Sequence, residues 1–208
     1  MRYSEDAARL ALRELGKAGD LADAPVDLPG ELVDSFYQAL ILVYNAVALP
    51  ARKLVVEEYD IHTFRQPDLH SLILYVDSAQ NWVQALRRGE PLTGNPHVDQ
   101  LLQEFDLHIS HDSAVLEFLV LYSKVPLNTT ALAKRFSVIE GVRNAAPEVI
   151  GGSGNDIAAF ADNAYLQLDY SLGFGDCRAF CTNHHFWKFR IYSNSLVEFV
   201  GEWGDPLP

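Results

Sequence analysis

A chain of 208 residues, 49% of them hydrophobic, holds enough apolar surface for one large core or two small ones, which excludes a disordered protein. Its 28 acidic against 16 basic side chains give a formal charge of -12, a field that repels phosphate backbones and anionic headgroups, so the expectation is no nucleic acid. The longest apolar stretch, from Ala39 to Leu49, is interrupted by Tyr44 and Asn45, so no membrane insertion is expected either.

The first residues, Met1 to Asp6, lack the basic start and apolar run of a secretory leader and lead directly into an amphipathic helix. Two compartments stay open on that reading: the cytoplasm, or an oxidising compartment reached by a chain whose leader has been removed. Ser4 is the expected N-cap of a first helix carrying Leu10, Leu12 and Leu15, stopped by Gly16 and Gly19. Pro29 opens a second, in which Leu32, Val33, Phe36, Tyr37, Leu40, Val43 and Tyr44 share one face, and Pro50 ends it. Residues from Val55 to Phe64 alternate loosely and predict an edge strand.

From Leu69 the pattern changes. Leu72 to Val76 is a nearly continuous apolar run, predicting a strand covered on both faces. A helix follows from Asn81 through Leu86, breaks at Gly89 to Gly94, and restarts with Asn95 as cap and Pro96 in the first helical position. Leu107 to Ser110 and Val115 to Tyr122 read as two strands. Asn128 caps a helix closed by Gly141, and Val142 to Val149 is a fourth strand. The order is that of a ferredoxin-like βαββαβ unit. Beyond it, Leu166 to Tyr170, Trp187 to Ile191 and Val197 to Phe199 alternate as antiparallel strands, with a turn at Ser193 to Ser195. The prediction is therefore an α+β protein: an N-terminal helical segment (1–67), a ferredoxin-like unit (68–150) and a C-terminal antiparallel β-hairpin or sheet (151–208), packed as one compact domain.

The chemistry-bearing residues are few. Cys177 and Cys181 are the only cysteines. Fully extended, the segment would hold their Cα atoms about 13 Å apart, whereas a disulfide needs about 7 Å or less, so a bonded pair requires a tight turn. Such a bridge would be a local staple contributing about 2 kcal/mol. The alternatives are two buried free thiols, or a zinc site that adds His184 and His185. Gly151 to Asp156 matches the start of a calcium-binding nonapeptide, with Asp156 as an oxygen ligand, and otherwise reads as a linker. Asp106, His108 and Ser110 share a strand face, so Asp106, His108 and His111 are candidates for a hydrolase; Asp60 and His62 raise the same question earlier. The aromatic set Trp187, Phe189, Tyr192, Phe199 and Trp203 reads as sheet core rather than a sugar platform. No cofactor is expected.

Two resemblances add to this. Pro126-Leu127-Asn128-Thr129-Thr130-Ala131-Leu132-Ala133-Lys134-Arg135-Phe136, followed by Ile139-Glu140-Gly141-Val142-Arg143-Asn144, resembles the last helix and strand of subtilase propeptide and inhibitor domains. Those domains are ferredoxin-like and bind a protease by their sheet and C-terminal tail. Gly175-Asp176-Cys177, Cys181, His185 with Trp187, and the closing Gly204-Asp205-Pro206-Leu207-Pro208 resemble a group of uncharacterised secreted proteins from Bacteroidetes-like bacteria. This second resemblance implies export, to a secreted or periplasmic location, and an oxidised Cys177–Cys181 pair. The resulting expectation is a non-catalytic exported protein-binding domain, its partner a protease or an envelope component.

Overall fold

The computed structural model describes residues 2–149 and 151–208; Met1 and the expected boundary at Ile150 lie outside the described residues. In chain order the elements are α1 (Ser4–Ala18), α2 (Gly30–Asn45), α3 (Pro50–Lys53) running into a π-helical turn at Leu54–Glu58, β1 (Ser71–Val76), α4 (Asn81–Arg87), α5 (Pro96–Glu104), β2 (His108–Ser113), β3 (Phe118–Tyr122), α6 (Thr129–Ser137), β4 (Val142–Pro147), β5 (Asp156–Ala161), β6 (Tyr165–Phe174), β7 (Asn183–Tyr192) and β8 (Val197–Gly204). The class is α+β, with two antiparallel four-stranded sheets. The chain divides into two units, one made of residues 2–14, 29–65 and 151–208, the other of residues 15–28 and 66–149.

In the second unit the strand order is β2-β3-β1-β4, with every neighbouring pair antiparallel, which is the ferredoxin-like sheet. Its core explains the pattern. Leu72, Leu74 and Val76 of β1 and Leu119 and Leu121 of β3 point one way, into Trp82, Val83, Val98, Leu101, Leu132 and Phe136 of the helices. Ile73 and Tyr75 alternate to the other face and belong to neither buried core, and Tyr75 is 40% exposed. The expected two-sided burial of β1 holds only in part: Ile73 and its partner Val120 are covered on the second face, and Tyr75 is not. Asn95 and Asn128 cap α5 and α6 as predicted, each accepting from backbone N–H groups of the first turn. Gly141 follows α6 at φ +87°, a left-handed conformation that a Cβ disfavours.

In the first unit β5 to β8 form a meander. Its inner face, with Leu168, Tyr170, Trp187, Phe189 and Ile191, is buried against Tyr3, just before α1, Ala7 and Leu10 of α1, and Phe36, Leu40 and Val43 of α2. Two expectations change here. Residues 55–64 are not an edge strand: Val55 and Val56 are consecutive and both buried, as a helical turn allows and a half-exposed strand does not. The C-terminal segment gains β5, paired with β6 through Ile157↔Tyr170 and Ala159↔Leu168, a strand that the sequence pattern does not predict and that starts at Asp156, the last residue of the expected linker.

Candidate functional site

In the first unit the groups whose ionisation is most disturbed gather around α1. Asp6 is 2% exposed, and its Oδ1 accepts from the Thr63 N–H (2.7 Å) and hydroxyl (2.8 Å), while Oδ2 lies 2.6 Å from His62 Nδ1. Burial opposes the charge on Asp6, but these hydrogen bonds outweigh it and hold its pKa below the usual carboxylate value. The hydrogen bond to Asp6 raises His62, against the effect of burial. His62 Nε2 also faces a carboxylate, Asp60 Oδ1 at 3.3 Å, and Asp60 is paired with Arg2. With a carboxylate near each ring nitrogen the imidazolium form is favoured, as in a structural anchor. Burial pushes the neighbouring Tyr170 hydroxyl well above its ordinary value, with Tyr3 and Asp6 adding to the effect. Asp60 and His62 are therefore brought together, but as part of a brace between α1 and the segment that follows the π-helical turn; Asp6 and Arg2 were not singled out from sequence.

Cys177 and Cys181 form a disulfide, with Cα atoms 3.8 Å apart in the tight turn their spacing requires. The glycine-rich segment beside it is part of the same structure. Cys181 N–H donates to Ser153 Oγ at 2.5 Å, Ser153 N–H to the Cys177 carbonyl at 3.3 Å, and a Cβ at Gly152 would stand 3.0 Å from that carbonyl. Zinc would need the thiolates that this bridge consumes. His184 and His185 alternate on β7 and are held at the chain's end: His184 N–H donates to the Asp205 carboxylate (2.8 Å) and His185 Nδ1–H to the Asp205 carbonyl (2.7 Å). Cys177, Cys181, His184 and His185 thus do not converge. Asp156 is not an open calcium ligand either, because its carboxylate accepts from Arg13 Nη1 (2.9 and 3.1 Å) and from the Phe64 N–H (2.8 Å). Among the described residues no group of three or more His, Cys, Asp or Glu side chains is placed to hold a metal ion.

Asp106, His108 and His111 are exposed, Asp106 in the turn before β2 and the two histidines on it. They do not form a cluster: the His108 ring packs on Tyr122 (centroids 5.3 Å apart) and the His111 ring on Phe118 (5.6 Å). Of the aromatic set, Trp187, Phe189 and Phe199 belong to the core as expected, whereas Tyr192 and Trp203 stand on the outer face of their sheet.

The feature that sequence reading missed lies at the β2–β3 hairpin. Val115 and Leu116, expected inside a strand, form its tip and are 91% and 67% exposed. This tip is held in place. The Leu116 N–H donates to Ser113 Oγ (3.2 Å), the Glu117 carbonyl accepts from the Val76 N–H (2.8 Å), and Arg143 Nη2 bridges the Glu117 carboxylate (2.6 Å) and the Val76 carbonyl (2.7 Å). Phe118, the next residue, packs its ring 6.2 Å from that of Tyr75. Two apolar side chains thus extend into solvent from a fixed turn, beside an aromatic pair on the sheet face that carries none of this unit's helices.

No protein-family model, curated protein or solved structure matches this chain. No single helix among the described residues is long and apolar enough to cross a membrane. The disulfide is the state that an oxidising compartment maintains.

Proposed function

We propose that this chain is a non-catalytic protein-binding domain acting in the secreted or periplasmic space, and that it binds through Val115, Leu116, Tyr75 and Phe118. The observation that carries the reading is the hairpin tip: large apolar groups exposed on a pre-set backbone lose little conformational entropy on binding and gain from desolvation. The candidate catalytic sets point the same way, since His62 is committed to two carboxylates and the β2 histidines are separated and exposed. Export is supported by the disulfide and by the resemblance to secreted bacterial proteins. The resemblance to subtilase propeptides suggests the partner class, a subtilisin-type protease; the chain following β4 continues into β5, so the sheet and its hairpin, not a free tail, would make the contact.

Titrating a subtilisin-type protease with the protein, and following hydrolysis of a chromogenic peptide, tests this partner. Inhibition at about micromolar concentration is expected, weakened at least about tenfold in a Val115→Asp, Leu116→Asp double variant whose melting temperature is unchanged. Full protease activity in the presence of about 10 μM protein would remove the protease from the proposal.

A further inference from the structure

The ferredoxin-like unit has a second surface that can take a partner, independent of the hairpin tip. β2 is an edge strand, bonded to β3 on one side only, so the backbone groups of its other side face outward. Directly beside that edge lies a cleft of about 710 Å³ between β2 and the α4–α5 pair. Its apolar lining comes from Leu86, Leu102, Leu107 and Ile109, with Leu92, 68% exposed, at the rim. Its polar lining carries three carboxylates, Glu90, Asp99 and Asp112, beside Gln103 and His108; Glu90 also accepts from Arg88 (2.6 Å) and Asp99 from the Thr93 N–H and hydroxyl (2.7 Å). The one guanidinium lining it, that of Arg87, is already committed to Asp112 (3.0 Å) and Ser78 Oγ (2.9 Å), while its Nη2 is buried without a hydrogen-bond partner. An unpaired strand edge next to an apolar cleft is the arrangement that recognises an extended peptide by adding it as a further strand, its alternate side chains entering the cleft.

We infer that the β2 edge and the α4–α5 cleft bind an extended peptide in which apolar residues alternate with basic ones. The apolar residues enter the cleft and the basic ones meet the carboxylates of its rim, chiefly the exposed Glu90, in competition with Arg88. The acid excess of the whole chain, 28 against 16, draws the same class of peptide. A bulge between Ile109 and His111 interrupts the edge, so the paired stretch centres on His108 and Ile109, just after Leu107, whose N–H already donates to the Leu102 carbonyl (2.9 Å).

The test uses the full chain and a short, capped, dye-labelled peptide alternating valine and lysine, read by fluorescence anisotropy. Saturable binding tighter than about 1 mM is expected, weakened about tenfold by Glu90→Lys or Leu92→Lys and about tenfold by N-methylation of the peptide backbone. Both altered residues are exposed or at the rim, and Val138→Lys, 83% exposed and outside the cleft, should leave binding unchanged. The Val115→Asp, Leu116→Asp variant should also bind normally, which separates this site from the hairpin tip. The inference is overturned by no saturable binding at about 1 mM, by equal binding of the N-methylated or a valine–aspartate peptide, or by a dimer in sedimentation that Leu92→Lys dissolves, which would assign the edge to a second copy of the chain.

Discussion

At the scale of single residues the clearest energetic commitment is the Asp6–His62 pair, because a carboxylate that is 2% exposed must be compensated wherever it is charged. Its pH dependence follows from the two directions of shift. Asp6 is lowered on folding, so its contribution is complete above the unfolded value of about 4 and is lost as pH falls through the folded one. His62 is raised, so its contribution is complete below about 6.5 and is lost as pH rises through the folded value. Both describe one interaction, which is therefore strongest between about pH 4 and 6.5. Thermal melts of the wild type and His62→Gln should differ most near about pH 5, and the gap should narrow at both about pH 3 and about pH 9. A gap independent of pH would mean that the pair is not the brace of α1.

At the scale of elements, the second unit depends on one buried side chain. Asn128, fully buried, accepts from the Ala131 N–H to cap α6 and donates from Nδ2 to the carbonyls of Leu21 (2.8 Å) and Pro25 (3.2 Å). Asn128→Ala removes a cap and leaves two carbonyls short of a donor, so urea unfolding should show a loss of about 2 kcal/mol. A loss below about 0.5 kcal/mol would contradict that accounting.

The elements that sequence made legible are those fixed by local chemistry. Asn95-Pro96 and Asn128 mark helix starts because capping needs nothing beyond the next turn, whereas Gly141, expected to close α6, lies past its C-cap Val138 and turns the chain into β4. What could not be read depends on distant partners. Ile157 to Ala161 is poor in strand signal and becomes β5 only because β6 lies beside it. Val55 and Val56 fit strand alternation until their consecutive burial shows a helical turn. The site residues divide in the same way. Cys177 and Cys181 are legible because only a tight turn lies between them, whereas Asp156 meets Arg13 across 143 residues and Asp6 meets His62 across 56, distances at which spacing carries no signal.

At the scale of the whole molecule, each sheet buries one face under helices, and each leaves aromatic side chains on the other. One-sided antiparallel sheets ordinarily present polar residues to water. In the ferredoxin-like unit that rule is broken at Tyr75, Phe118, Val115 and Leu116, and the break is what a binding surface requires. The central claim is that this end of the unit meets another protein. A photo-reactive benzoylphenylalanine placed at Leu116, and in a second variant at the still more exposed Val138, tests it in the cells that make the protein. The account predicts a discrete protein adduct from position 116 and none from 138. No adduct at 116, or the same adducts from both positions, would contradict it.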